Sequence, residues 1–318
     1  MAVLLVAVKN KDTLKIIFIA GSGRCGSTLM DNVLGQMSNA FSAGEVRYFW
    51  DRGLQQDRLC SCGESFRKCP VWRAVTEDLY GRVNEAEANS RISMRDRIKN
   101  KYLILTLFRV GKKWLVRRCT PYADELKKLL YSISKIRGSD VIVDSSKYPS
   151  HVFALTLIPD IDLRIIHLVR DPRGVAFSWS TPKYDKGKGG MMRPQGILRA
   201  SLQWLIFNLL IGRIARSAGV PYLLVRYEDW VDDPQSAMSC IANFIGEEAA
   251  SRLISPDRTI RIDDIHALSG NPSRFNQGEV RVHFDDRWKS TMKTKEKLLC
   301  YAVTWPLALR YRYFLFTS

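Results

Sequence analysis

The chain has 318 residues, with 49 Lys+Arg against 32 Asp+Glu, a formal net charge of +17 and a pI near 9.7. Hydrophobic residues make up 46% and charged residues 25%, a globular balance that excludes a disordered tail or a collagen-like fibre. The length suffices for one large α/β domain or two smaller ones, and the excess positive charge points to an anionic partner: nucleic acid, a phosphorylated cofactor, an acidic substrate or a membrane surface.

In chain order, Met1 to Val8 is apolar but lacks a basic leader and a small-residue cleavage site, so it does not read as a signal peptide. Lys15 to Ala20 is a short β-branched run ended by Gly21, a buried strand entering a tight loop, and Thr28 to Met37 then has helical apolar spacing. Between Arg91 and Arg118 ten basic residues and one acid, Asp96, are mixed with Leu, Ile, Phe and Trp. This stretch reads as part of a helical insertion over about 80–138, lining a substrate cleft or lying against an acidic or membrane surface. The alternative is a solvated basic face with its apolar side in the core.

Val141 to Val143, Leu163 to Leu168 and Pro221 to Arg226 supply three further strands, separated by helical stretches near 150–158, 173–180, 196–217 and 234–246. Strands alternating with helices predict an α/β fold, a three-layer sandwich with a central parallel sheet and ligands at the carboxyl ends of its strands. The late apolar run Leu298 to Leu309 has about twelve residues and contains Pro306, short of the roughly 20 needed to span a bilayer. No internal repeat divides the chain, and a single domain over 1–318 is expected.

The seven cysteines are odd in number, and only Cys60, Cys62 and Cys69 lie close together. That pattern argues against a secreted disulfide framework and for a reducing, cytoplasmic compartment. Three cysteines fall short of the four ligands of a structural zinc site, and no histidine lies nearby in sequence. A stapling disulfide or three reduced thiols in a turn is expected there, and no metal.

Two segments carry chemistry. Gly21-Ser22-Gly23-Arg24-Cys25-Gly26-Ser27-Thr28 follows a strand and opens a helix. Its glycines let the backbone turn tightly and aim N–H groups into one concavity, and the helix start adds partial positive charge. The segment nearly fits the nucleotide loop Gly-x4-Gly-Lys-Ser/Thr, but Ser27 stands where the phosphate-gripping lysine belongs, and the cation is Arg24 instead. In the second segment Arg170 leaves a strand, Pro172 suits a first helical turn, and Ser178 follows about two turns on, so arginine and hydroxyl can hold a second phosphate.

These motifs, with Asp144-Ser145-Ser146-Lys147, Arg226-Tyr227-Glu228-Asp229 and the late Gly270-Asn271-Pro272-Ser273-Arg274…Gly278…Trp288-Lys289, resemble the sulfotransferases that use 3′-phosphoadenosine 5′-phosphosulfate (PAPS). The likeness spans about residues 15–290 and implies a P-loop nucleotide-hydrolase-like fold. It implies that the backbone of Gly23, Arg24, Cys25, Gly26, Ser27 and Thr28, with the Arg24, Ser27 and Thr28 side chains, holds the phosphosulfate. Arg170 and Ser178 would then hold the 3′-phosphate and Tyr227 would sit near the adenine. Arg274, in a loop over about 265–290, would close over the 3′-phosphate.

Cytosolic members of that family carry a histidine base where this chain has Lys147, 23 residues before Arg170. Bacterial and Golgi carbohydrate- or tyrosine-directed members use a glutamate soon after the first helix, and Phe41-Ser42-Ala43-Gly44-Glu45-Val46-Arg47 matches that pattern. The resemblance therefore implies Glu45 as general base, Lys147 on the leaving group or a sulfonate oxygen, and His151 as reserve base. The expected reaction moves a sulfuryl group to a hydroxyl or amine of a small-molecule, lipid or carbohydrate acceptor, with PAP as product and no metal. A nucleotide-dependent P-loop kinase and a basic nucleic-acid-binding module are the alternatives. The Gly- and Lys-rich stretch Lys183 to Arg193 is expected to form a mobile lid.

Overall fold

The structure, a computed structural model, describes residues 13–81, 85–107 and 109–315. The apolar start, Met1 to Val8, lies outside the described residues. Strand β1 (Leu14–Ala20) leads through a glycine loop into α1 (Ser27–Leu34) and β2 (Ala40–Gly44). A short helical turn (Val46–Tyr48) and a wide one (Phe49–Gln55) follow, then helices α2 (Pro70–Tyr80), α3 (Glu85–Asp96) and α4 (Arg109–Arg137). The chain returns as β3 (Val141–Lys147), α5 (Pro149–Leu155), β4 (Ile161–Val169) and α6 (Pro172–Ser180). A hairpin of β5 (Lys183–Asp185) and β6 (Gly190–Met192) precedes α7 (Ile197–Ala218), β7 (Tyr222–Arg226), α8 (Tyr227–Asp232) and α9 (Pro234–Ile245). Strands β8 (Thr259–Ile262) and β9 (Gly278–Arg281) pair antiparallel, and α10 (Trp288–Thr291) and α11 (Thr294–Arg310) follow.

The central sheet has the order β2-β3-β1-β4-β7, with every pairing parallel. All seven residues of β1 are buried, as a strand covered on both faces requires, and alternate side chains serve opposite layers. Ile16 and Phe18 join the cluster built with α2, α4 and α5, including Trp72, Leu126 and Leu155. Ile17 and Ile19 join Met30, Val33, Trp230 and Ile241 from α1, α8 and α9. Truncating such a residue to Ala costs about 2–5 kcal/mol, transfer and cavity together. The expected three-layer α/β sandwich is what forms.

The sheet also fixes where a ligand can sit. The connections from β1 run to one side through β2, while β4 and β7 lie on the other, so the chain order reverses at β1. That leaves a crevice beyond the carboxyl end of β1, flanked by the ends of β3 and β4. Ala20 is level with both Lys147 and His167 in register, which brings the carboxyl ends of three strands to one rim.

The insertion is helical as expected, but the described side chains of 91–118 are not part of the main cavity wall. Several are consumed inside the fold: Arg91 pairs with Glu125, and Arg95 with Asp51 and Asp96. Arg97, Lys99, Lys101, Arg117 and Arg118 stay exposed, as does one turn carrying Val110, Lys112, Lys113 and Trp114. Helix α7 is long and apolar enough by length and composition to cross a membrane, yet one of its sides packs on α6 and α11 as part of the protein core.

Candidate active site

The loop after β1 is shaped by backbone demands that only certain residues meet. Gly26 caps α1 at φ +97°, and a Cβ there would lie 2.6 Å from the Tyr227 ring. A Cβ at Gly23 would lie 2.6 Å from Trp179. Arg24 itself adopts a left-handed φ of 73°, a local strain that turns the loop around an inner concavity. The first N–H groups of α1 have no intrahelical partner and add the helix-start potential.

A cavity of about 590 Å³ opens over this loop. It is lined by Gly23, Arg24, Gly26, Ser27 and Thr28, and by Glu45, Lys147, Arg170, Ser178 and Tyr227. Lys183 from the expected lid joins them, as do Arg52, Arg199 and Arg281, which none of the motifs includes. Seven Lys and Arg side chains thus face the cavity against two acids, Glu45 and Asp285, so the field inside favours a multiply charged anion.

One cationic group surrounds the loop. The Arg24 guanidinium lies over Trp179 at 4.8 Å and reaches the Met192 sulfur at 3.1 Å, while its Nε is buried without a hydrogen-bond partner. Burial lowers the Arg24 pKa, opposed by the nearby carboxylates of Glu45 and Asp185. An orphaned arginine N–H and a glycine cradle too tight for any Cβ fit a phosphate-like oxyanion.

The second group gathers at the end of β4. Arg170 stacks its guanidinium on Tyr227 at 4.6 Å, donates to the Arg24 carbonyl and pairs with Asp285 on the late segment. Asp171 pairs with Arg173 and not with Arg170. Lys183 donates from Nζ to Ser178 Oγ at 3.3 Å. Burial, with Arg24 nearby, lowers the Lys183 pKa to about 8. Tyr227 lies between Gly26 and Phe284, whose ring stacks at 6.1 Å.

Glu45 follows β2 and Lys147 ends β3, so neighbouring parallel strands deliver acid and amine to the same rim. Lys147 Nζ donates to Glu45 Oε1 at 2.6 Å and to the Ser145 carbonyl at 2.7 Å. Arg52 lies 3.4 Å from Glu45 Oε2 and donates to Ser269 Oγ at 2.7 Å. Burial pushes the Glu45 pKa up, but Lys147 and Arg52 outweigh it and hold the carboxyl below its ordinary value. Glu45 is therefore a carboxylate at neutral pH.

Several expectations need correction. The Cys25 thiol is buried in the cluster of Ile17 and Ile19 and does not line the cavity, so only its backbone N–H is left for the expected role; burial raises the thiol pKa. His151 is fully buried between Asp144 and Tyr122 and cannot serve as a reserve base at the cavity. Arg274 is buried beside Asp185 and the Leu59 carbonyl, on the Glu45 side, and not with Arg170 and Ser178. Its place in the late segment near Arg170 is taken by Asp285, flanked by His283 and Arg281 on the wall.

Residues 183–192, where a lid is expected, form an antiparallel hairpin with Gly189 at φ +70° in its turn. The hairpin is tied down by the Gly187 carbonyl to Leu59 N–H and by Asp185 to Arg274. The largest omission concerns the cysteines. A histidine does join Cys60, Cys62 and Cys69, namely His266, brought from 197 residues beyond Cys69. No local spacing could have signalled it.

A model of the sulfotransferase family matches residues 17–251. Among solved structures, the sulfotransferase domain from the Synechococcus PCC 7002 olefin synthase aligns with a TM-score of 0.53 at 21% identity, covering 95% of this chain and 98% of its own. That is a likeness of fold. The sulfotransferase domain from the curacin biosynthetic pathway aligns with a TM-score of 0.48 at 16% identity, over 95% of this chain and 98% of that one. No curated protein sequence matches.

Proposed function

The chain belongs to the sulfotransferase family, and on that premise we propose that it transfers a sulfuryl group from PAPS to an acceptor hydroxyl, with Glu45 as general base. The observation that carries this reading is the pair of cationic groups in one cavity, Arg24 with Lys147 beside the glycine loop and Arg170 with Ser178 and Lys183 beyond it. A donor with a phosphosulfate and a separate 3′-phosphate needs two such groups; ATP needs only the first.

In this mechanism the loop N–H groups and Arg24 hold the phosphosulfate while Arg170, Ser178 and Lys183 hold the 3′-phosphate. The acceptor oxygen bonds to sulfur as the bond from sulfur to the bridging phosphate oxygen breaks. Glu45 takes the acceptor proton at a carboxylate oxygen, and Lys147 is placed to offset negative charge on the departing oxygen. Positioned base catalysis of this kind contributes about 10²–10⁴-fold. The acceptor would enter along the wall formed by Tyr48, Tyr148, Phe207 and Gln203, which offers aromatic faces and one amide. That wall suits the hydroxyl of a small molecule, a lipid or a carbohydrate.

Two further parts of the proposal concern surroundings. The exposed Val110, Lys112, Lys113 and Trp114 suit peripheral contact with an anionic membrane surface. All seven cysteines are unpaired, which supports a reducing, cytoplasmic compartment. The deciding experiment is calorimetric titration with PAP, with ATP and with ATP plus magnesium. Tight, magnesium-independent PAP binding that ATP does not match is the expected result. Preference for magnesium–ATP would overturn the reading in favour of a kinase.

A further inference from the structure

We propose that Cys60, Cys62, Cys69 and His266 form a structural zinc site that fastens the loop of residues 59–69 to the late segment beside the active site. The ligand atoms of these four residues all lie within 4.8 Å of one another. His266 Nδ1 is 3.2 Å from Cys69 Sγ and 3.9 Å from Cys60 Sγ. A tetrahedral zinc with bonds of about 2.3 Å to sulfur and about 2.0 Å to nitrogen separates S and N ligands by about 3.5 Å. The observed distances bracket that value.

The local backbone gathers the cysteines. Leu59 and Ser65 form an isolated antiparallel bridge, Cys60 N–H donates to the Glu64 carbonyl, and Gly63 at φ +97° closes the turn. Cys69 caps α2 and so stands at the positive end of that helix.

The fourth ligand has its own support. His266 Nε2 is 3.0 Å from Asp264 Oδ1, leaving Nδ1 free to face the thiols, and the His266 carbonyl accepts from Trp72 Nε1 at 2.7 Å. A carboxylate behind a histidine fixes its tautomer and ring plane in the manner of metal-bound histidines. Four protein ligands close the coordination sphere, so this site is structural and holds no substrate. Zinc binding releases to solvent whatever protons the three sulfurs and His266 Nδ1 carry, leaving three thiolates and a neutral imidazole with its Nε2–H toward Asp264.

The two strands of chain so joined carry active-site partners. Ser61 Oγ donates to the Ile265 carbonyl and Ser61 N–H to the Ala267 carbonyl, continuing the seam. Ser269, three residues beyond His266, accepts from Arg52, and the Leu59 carbonyl accepts from Arg274. Zinc here positions the two arginines that flank Glu45 without touching the reacting atoms.

The test is metal analysis of the full chain, expressed with zinc and purified under reducing conditions. One zinc per chain is expected, released by a mercurial titrant of thiols, and cobalt substitution should give the intense visible absorption of a tetrahedral thiolate site. H266A should lose the metal and H266C should retain it. D264N should weaken zinc affinity by roughly 10–100-fold. If H266A fails to fold, the cobalt spectrum and mercurial release of the unaltered protein still decide. Folded, PAP-binding protein without zinc, or a mass two daltons lighter from a disulfide within the cluster, overturns the proposal. Neither result would bear on the sulfotransferase reading.

Discussion

Lys147 and Glu45, 102 residues apart in sequence, meet at 2.6 Å where two parallel strands end side by side. Lys147 adopts a left-handed φ of 67° at that point, so the strand end is bent to turn its side chain toward the acid. The pair keeps a buried carboxyl ionised, which a base must be before it can accept a proton.

E45Q should lower kcat by about 10²–10⁴-fold with PAP affinity nearly unchanged. Steady-state sulfuryl transfer alongside calorimetry with PAP separates the two quantities. An active E45Q enzyme would remove Glu45 from the role of base.

The acid limb of the rate profile follows from the same pair. The Glu45 pKa is depressed by Lys147 and Arg52, so the active carboxylate persists at higher pH and is lost only as pH falls through the lowered value. The limb should lie below the ordinary glutamate value of about 4.3. Replacing the amine in K147M should move it upward, measured as kcat against pH at saturating donor.

Lys183 makes donor affinity sensitive to alkali. With its pKa lowered to about 8, it is cationic below that value and neutral above it, and only the cation attracts a phosphate. PAP affinity should weaken as pH rises through 8, and K183M should bind more weakly at pH 7 with a flatter profile. Loss of the Arg170 guanidinium in R170A should cost about 1.5–3 kcal/mol of PAP binding, the usual worth of hydrogen bonds to charged groups.

The two glycine positions should respond differently to a methyl group. In G23A the obstruction is the Trp179 ring, so PAP binding should be lost and then regained in the G23A/W179L double variant. In G26A the obstruction is joined by backbone strain at φ +97°, worth about 1–3 kcal/mol. Trimming Tyr227 should therefore not restore binding there. Calorimetry and thermal melts of the four variants check this.

The exposed basic turn gives a further test. Sedimentation with vesicles containing anionic lipid should fall in W114E and in K112E/K113E, with PAP affinity unchanged, since none of these residues faces the cavity. Equal sedimentation of the variants and the original protein would reject membrane contact at this turn.

By itself the sequence determined whatever is encoded by neighbours along the chain. The β-branched run Lys15 to Ala20, the glycines after it and the first helix form one local unit, so the strand, tight loop and helix were legible before any tertiary contact. Arg170 and Ser178 were legible for the same reason, standing on one strand end and the helix it enters. β2, with the sequence Ala-Phe-Ser-Ala-Gly, lacks the β-branched signal, and the hairpin over 183–192 hides among glycines and lysines that read as loop. Tertiary structure decided the rest. Parallel register set Lys147 beside Glu45, the hairpin carried Lys183 to Ser178, and the segment after β8 brought Ser269 to Arg52 and His266 to three cysteines. It also buried His151 and turned Arg274 away from Arg170. These outcomes depend on which side chains meet across gaps of many residues, and side-chain spacing along one strand or helix carries no information about that.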